Sequence, residues 1–118
     1  MATDSRSETG TATNEPLHVD GEASLNELVD DHDVVLTDFY ADWCGPCQAL
    51  EPIVETVAEE TEATVAKVDV DANQQLAATY GVRGVPTLVL FADGEQVEEV
   101  VGLTAEQQLR DLVETYAR

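Results

Sequence analysis

The hydrophobic pattern of the chain alternates between strand-like and helix-like repeats. Val34–Tyr40 is nearly continuous in β-branched and aromatic residues, which is typical of a strand covered on both faces. Asp93-Gly94 is a strong hairpin signal between two further runs of this kind. Strands are therefore predicted over residues 17–19, 34–40, 64–70, 87–91 and 96–101.

Between these runs, apolar residues recur at helical spacing. Helices are predicted over residues 24–32, 44–61, 73–80 and from 104 onwards. Ser24 is predicted to cap the first helix, and Thr104 with Gln107 to form a capping box at the last. Pro52 is predicted to kink the second helix. The order β-α-β-α-β-α-β-β-α predicts an α/β protein, with a mixed sheet covered by helices on both faces.

The charge balance is strongly acidic, with 25 acidic and 5 basic residues and a net charge of −20. Such a surface repels nucleic acid and anionic membranes, so neither is expected as a partner. The acidic residues are spread along periodic, core-bearing segments, which favours a folded domain with an acidic surface. Because self-repulsion weakens such a fold in dilute buffer and molar salt screens it, we expect a halophilic source with a salty cytosol.

The first 16 residues are polar and contain no apolar segment of a secretory signal. No run in the chain approaches the roughly 18 apolar residues that cross a bilayer. We expect a disordered tail over residues 1–16, one domain over residues 17–118 and a cytoplasmic location. Nothing in the sequence indicates an oligomer, so a monomer is expected.

The two cysteines lie in Cys44-Gly45-Pro46-Cys47, between the buried strand and a helix. In a helical turn their Cβ atoms are about 5–6 Å apart, and a small adjustment closes the roughly 3.5–4.5 Å of a disulfide. The helix N-terminus favours a thiolate at Cys44, and the thiolate is the attacking species in disulfide exchange. Pro46 costs no hydrogen bond in a first turn. Cys44 is therefore the predicted nucleophile, and Cys47, one turn deeper and less exposed, the predicted resolving cysteine.

Two other uses of the cysteine pair are less favoured. A structural disulfide is unusual in a reducing cytosol, and a four-residue loop adds little stability. A zinc site needs about four ligands, while His18 and His32 lie outside the motif, so no metal is expected. The only redox group that the chemistry then requires is the disulfide itself, without a further cofactor.

The segment Asp38–Cys47, DFYADWCGPC, resembles the active site of the thioredoxin family. Further matches follow in register at Pro52, VAKVD (65–69), YGVRGVPT (80–87), Gly94 and Gly102. The resemblance covers residues 17–118 and implies the thioredoxin fold, a central five-stranded mixed β-sheet flanked by four α-helices. Together with the acidic surface, it implies a family member from a halophilic archaeon.

The resemblance also implies roles for two buried charges. Asp38 would act as the general base for Cys47, and we expect burial to raise the pKa of Asp38. Lys67, the single lysine, would lie close to Asp38 and tune it, and a charge pair explains how both tolerate burial. From the residues alone, a structural strand acid and a lysine that reaches out from a sheet edge stay open as alternatives.

A docking surface for clients is implied around the cysteines. Pro86 corresponds to the cis-proline of the family, and a cis bond would leave the Val85 backbone open to pair with a client strand. The candidate substrate-binding residues are Trp43, Val85, Pro86, Thr87, Gly102 and Leu103. Trp43, Gly45 and Pro46 also support the motif, and ordinary packing is the alternative for each docking residue.

Two residues near the site depart from the common family pattern. Tyr40 stands where many members have tryptophan, and Gln48 stands where lysine or arginine is common. Neither change removes a required chemical group. The missing cation at position 48 reduces thiolate stabilisation and bears on which partner the surface accepts.

As a whole, the resemblance implies a protein-disulfide reductase that acts on client proteins and is recycled by a thioredoxin reductase. Gly45-Pro46 between the cysteines resembles the reducing members, whereas oxidants and isomerases usually carry a histidine there. An oxidant or isomerase, and a binding or chaperone module with incidental cysteines, stay open as alternatives.

Overall fold

The computed structural model describes residues 15–117, so residues 1–14 of the predicted tail lie outside the described part of the chain. The elements within it are β1 Leu17–His18, α1 Glu22–Asp31, β2 Val34–Tyr40, α2 Gly45–Glu60, β3 Thr64–Asp69, α3 Gln74–Thr79, β4 Thr87–Ala92, β5 Glu95–Val101 and α4 Glu106–Tyr116. This is the predicted order. None of the described helices combines the length and apolar character that a membrane crossing requires.

The strands form one five-stranded mixed sheet in the order β1-β3-β2-β4-β5. The β3 strand runs parallel to both β1 and β2, while β4 pairs antiparallel with β2 and with β5. In β2 every residue from Val34 to Phe39 is buried, because strands flank it on both sides and helices cover both faces. The continuous apolar run therefore became the central strand, as predicted.

Each face of the sheet packs against two helices. Leu36 of β2 lies in one core with residues of α2 and α4, while Val35 and Phe39 lie in the other with residues of α1 and α3. Since side chains alternate along a strand, Asp38 faces the same side as Leu36. Asp38 thus lies on the face that α2 covers.

The predicted hairpin forms at Asp93-Gly94. Both residues have positive φ, 53° and 86°, as the two central residues of a type I′ turn require. Farther along the pair, Leu90 faces Glu98 while Phe91 faces Gln96, so β5 carries one extra residue as a bulge. The hairpin brings the end of β5 beside the loop that precedes β4.

The predicted cap of the first helix is wrong. The α1 helix begins at Glu22, with Gly21 as its N-cap and no side-chain capping bond, so Ser24 lies inside the helix. Gly21 has a φ of 92°, and its N–H donates to the Asn73 side-chain oxygen at 2.8 Å. A tertiary hydrogen bond and a glycine conformation therefore set this helix start.

The predicted capping box at the last helix is also wrong. The α4 helix begins at Glu106 after Ala105, with no side-chain cap. The Thr104 hydroxyl donates instead to the Gly102 carbonyl at 3.0 Å, and the Gln107 amide donates to Asp111. Both side chains of the predicted box are thus engaged elsewhere.

The second helix, α2, continues through Pro52 up to Glu60.

Candidate active site

Cys44 is the N-cap of α2, and Gly45 and Pro46 form the first turn. The sulfur of Cys44 accepts a hydrogen bond from the backbone N–H of Cys47 at 3.1 Å. The two cysteines form a disulfide, with their Cα atoms 5.2 Å apart, well inside the usual range. The helix start therefore holds the sulfur of Cys44 where a backbone donor and the positive end of the helix dipole meet it.

Both cysteines are buried in the disulfide form. Their exposed fractions, 4% for Cys44 and 3% for Cys47, hardly differ, so the predicted contrast in exposure is nearly absent. What distinguishes them is their surroundings. The sulfur of Cys44 lies 3.6 Å from the backbone oxygen of Val85, in the loop before β4.

The Val85-Pro86 peptide bond in this loop is cis. The loop is tied down from two sides, since the Gly102 N–H donates to the Pro86 carbonyl at 2.8 Å and the Thr87 hydroxyl donates to the Gly84 carbonyl at 2.7 Å. Within residues 15–117, Val85 makes no hydrogen bond to another backbone group. A backbone edge beside Cys44 is thus left unpaired.

Exposed apolar side chains lie near the loop that contains Cys44 and the loop before β4. Trp43 is 70% exposed and Leu103 is 54% exposed, while Thr87 and Pro86 are buried. Between the Cys44 loop and the loop before β4 is a cavity of about 170 Å³, lined by Trp43, Val70, Ala77, Val82, Arg83, Gly84 and Val85. Trp43 and Leu103 therefore present apolar surface to solvent, while Thr87 lies in the interior.

Asp38 is almost completely buried, with 1% of its surface exposed. Neither carboxylate oxygen has a hydrogen-bond partner within the described residues. Burial raises the pKa of Asp38 to about 6, and the positive charge of Lys67 offsets part of this effect. A buried polar group without a partner is rare in proteins, so Asp38 is exceptional among the buried side chains of this fold.

Lys67 lies directly opposite Asp38 on the neighbouring parallel strand. Its ammonium, however, forms an ion pair with Glu51 of α2 and lies 4.4 Å from the centre of the Tyr40 ring. No Asp38 oxygen lies within the 4.0 Å of an ion pair. Burial lowers the pKa of Lys67, while the charges of Asp38 and Asp42 oppose that shift. Lys67 therefore lies beside Asp38 along the strands, as expected, but the two side chains form no direct ion pair.

Within residues 15–117, no three His, Cys, Asp or Glu side chains are grouped as ligands of a metal ion. The redox group that the site contains is the Cys44–Cys47 disulfide. The model of the family described as Thioredoxin matches residues 16–115 of this chain. The chain belongs to the thioredoxin family.

Individual thioredoxins agree with this result. The chain is 41% identical to a thioredoxin of Porphyra purpurea over 98 residues, which are 80% of this chain and 92% of that one. It is 46% identical to a thioredoxin of Chlamydia pneumoniae over 85 residues, which are 71% of this chain and 83% of that one. Among solved structures, a mutant thioredoxin from Halobacterium salinarum NRC-1 superposes with a TM-score of 0.88 at 68% identity, covering 90% of this chain and 94% of that one.

The thioredoxin family and the disulfide define the chemistry. The protein is a dithiol-disulfide oxidoreductase, and its five-stranded sheet with four helices is the thioredoxin fold. The cis state of the Val85-Pro86 bond, which the family resemblance implied, is confirmed.

Three residues of this thioredoxin site were not predicted from the sequence. Val101 is an exposed apolar residue at the end of β5, next to Gly102. Asp71 accepts a hydrogen bond from the Trp43 ring at 2.9 Å, and Glu51 pairs with Lys67. The Val100-Val101 pair interrupts the alternation of β5, and this signal in the sequence would have identified Val101. Only the folded arrangement identifies the other two.

Proposed function

We propose that the protein reduces disulfide bonds of client proteins, with Cys44 as the nucleophile and Cys47 as the resolving cysteine. The observation that carries the proposal is the position of the Cys44 sulfur at the N-cap of α2, 3.1 Å from the Cys47 N–H. A donor in this place, together with the helix dipole, stabilises a thiolate in the reduced protein. The reducing direction is further supported by Gly45 and Pro46 between the cysteines.

The reaction has two exchange steps. The Cys44 thiolate attacks one sulfur of the client disulfide, so the client S–S bond breaks, a mixed disulfide forms and the second client sulfur leaves as a thiolate. Cys47 then loses its proton and attacks the Cys44 sulfur. The mixed disulfide breaks, the Cys44–Cys47 bond forms and the client is released. Two electrons have moved from the protein dithiol to the client.

Asp38 is proposed as the base that takes the proton of Cys47. Its carboxylate lies on the sheet face that α2 covers, and Cys47 is buried in the first turn of that helix. Its pKa of about 6 leaves it ionised at neutral pH and ready to accept a proton. Lys67 is proposed to tune this base through its charge.

The client is proposed to dock as an extended segment beside the cysteines. The unpaired backbone of Val85 offers hydrogen bonds to such a segment. Trp43 and Leu103 supply exposed apolar contacts, Gly102 holds the loop through the Pro86 carbonyl, and Thr87 supports it from inside.

Oxidised protein needs two electrons to return to the dithiol. A thioredoxin reductase is the proposed donor, and clients and reductase are proposed to meet a monomeric protein in a salty cytoplasm. The net charge of −20 and the structural likeness to a thioredoxin from Halobacterium salinarum support the halophilic setting.

An insulin-disulfide reduction assay in high salt tests the proposed function. The wild-type protein should accelerate reduction by dithiothreitol, and the Cys44→Ser variant should not. An inactive wild-type protein would contradict the proposal. A variant with both cysteines replaced by serine that keeps its biological activity would favour a binding module. A redox potential far above about −270 mV would favour an oxidant or isomerase.

A further inference from the structure

The Lys67 ammonium is held by two side chains, Glu51 and Tyr40. Glu51 lies on α2 one turn after Cys47, and its carboxylate is the ion-pair partner of Lys67. The Glu51 side chain is 40% exposed and reaches in from solvent, while the Lys67 side chain is 5% exposed. The ring of Tyr40 faces the same ammonium. A carboxylate and an aromatic face together define where this cation stays.

Two ionisable groups interact with Asp38, namely Lys67 of β3 and Tyr40 at the end of β2. Lys67 in turn interacts with Glu51 of α2 and with Asp42 in the loop after β2. The residue that faces Asp38 from β4 is Leu88, which carries no charge. Lys67 is the only cation of this set, so its position decides how closely the Asp38 charge is balanced.

We propose that Glu51 is a positioning residue, which holds the Lys67 ammonium away from Asp38 and so leaves the Asp38 carboxylate free to accept the proton of Cys47. This inference rests on the proposed function, because it concerns the resolving step. In that step the S–H bond of Cys47 breaks, the proton goes to Asp38, and the sulfur electron pair forms the bond to Cys44. A Lys67 ammonium directly on Asp38 would weaken the base, since an opposite charge within about 4–6 Å favours the ionised carboxylate.

The unpartnered oxygens of Asp38 support this reading. An ammonium on the adjacent strand is the obvious donor for a buried carboxylate, yet both oxygens are without one. The Lys67 ammonium instead donates to Glu51, which lies on α2, 16 residues before Lys67 in the sequence. Removal of the Glu51 charge should therefore let Lys67 move towards Asp38.

The test compares Glu51→Gln with Glu55→Gln, which removes the same charge one turn farther along α2 from an exposed side chain. Carboxyl carbon-13 NMR of the oxidised full-length protein in molar KCl follows the titration of Asp38, because the disulfide cysteines do not titrate. Glu51→Gln should lower the Asp38 midpoint by about one pH unit, and Glu55→Gln should leave it unchanged. Equal midpoints in the two variants would overturn the proposal.

A double-mutant cycle shows whether the effect passes through Lys67. In a Lys67→Met background, Glu51→Gln should no longer move the Asp38 midpoint, and a shift of full size there would overturn the proposal. If Lys67→Met fails to fold, the comparison of Glu51→Gln with Glu55→Gln decides alone.

In the reduced Glu51→Gln protein, the pH of half-maximal client release should fall together with the Asp38 midpoint. Failure of wild-type insulin reduction would contradict the proposed function and not the placement of Lys67, which the titration measures without a client.

Discussion

The indole N–H of Trp43 donates to the Asp71 carboxylate at 2.9 Å, although most of the Trp43 ring is exposed. The ring is thus fixed in orientation while its apolar face stays open to solvent. A large aromatic side chain that is held in this way loses little conformational freedom when a partner covers it. This geometry suits the proposed docking of a client beside Cys44.

Replacement of Trp43 should therefore separate client binding from thiol chemistry. Trp43→Ala should lower kcat/KM for insulin roughly tenfold, the loss that a binding anchor of about 1.4 kcal/mol produces. The reaction with the small substrate hydroxyethyl disulfide should be unchanged, because it does not reach the Trp43 surface. Asp71→Ala, which frees the ring, should give a smaller loss with insulin. Equal losses with both substrates would show that Trp43 acts on the cysteines and not on docking.

Asp38 should make stability depend on pH in an unusual direction. Its pKa in the folded protein is about 6 against 3.8 for the free group, so the folded state binds the proton more tightly than the unfolded state does. The free energy of unfolding should then fall as the pH rises from below 4 to above 6. Asp38→Asn, which cannot ionise, should avoid this loss, and it should be more stable than wild type by about 3 kcal/mol at pH 7.5.

Urea unfolding of the oxidised protein at several pH values measures this difference. Below pH 4 the advantage of Asp38→Asn should shrink towards zero, because the wild-type carboxyl is then protonated in both states. Asp30→Asn, at an exposed position on α1, is the matched control. It keeps Asp38, so its stability should fall with rising pH as that of the wild type does. A wild-type protein more stable than Asp38→Asn at pH 7.5 would contradict the account of burial.

Much of the fold followed from local sequence patterns. The apolar run of β2, the Asp93-Gly94 turn and the helical start at the cysteines are encoded by neighbouring residues, and each formed as predicted. Helix caps were harder, because the Thr104 hydroxyl had a competing acceptor in Gly102. A side-chain oxygen chooses among nearby groups after the chain has folded, and residue spacing alone does not reveal that choice.

The site, like the fold, has features that local sequence predicts and features that depend on tertiary contacts. The cysteine pair depends on one helical turn, and sequence spacing suffices to predict it. The direction of the Lys67 ammonium depends on Glu51, which lies on another element, and on the Tyr40 ring. Charges that meet across a sheet and a helix are brought together by tertiary packing, so this contact was not predictable from the sequence.

The proposed roles of Cys44 as nucleophile and Cys47 as resolving cysteine predict a trapped intermediate. Cys47→Ser should stop after the first exchange step, because no thiol remains to release the client from Cys44. Mass spectrometry under non-reducing conditions should detect the covalent adduct with insulin or another disulfide client. Cys44→Ser should form little adduct under the same conditions, and equal trapping by both variants would contradict the assigned roles.

The acidic surface predicts that stability rises with salt. At a net charge of −20, an increase from 0.1 M to 1 M KCl shortens the screening length from about 10 Å to about 3 Å and reduces self-repulsion. The melting temperature should therefore increase along a KCl series. Glu59 and Glu62 share a cavity wall with Glu60 and Glu114, so the double variant Glu59→Gln, Glu62→Gln should melt higher at low salt and respond less to KCl. Equal or greater stability of the wild type at low salt would count against a halophilic adaptation.

The reactivity of Cys44 tests the central claim most directly. Iodoacetamide alkylation of the reduced Cys47→Ser variant, followed across pH by mass spectrometry, reports the ionisation of this thiol alone. The serine keeps the backbone N–H that donates to the Cys44 sulfur. The account requires the alkylation rate to reach half its maximum well below pH 8.5, about the value for free cysteine. A profile that matches free cysteine, or lies above it, would contradict a thiolate stabilised at the start of α2.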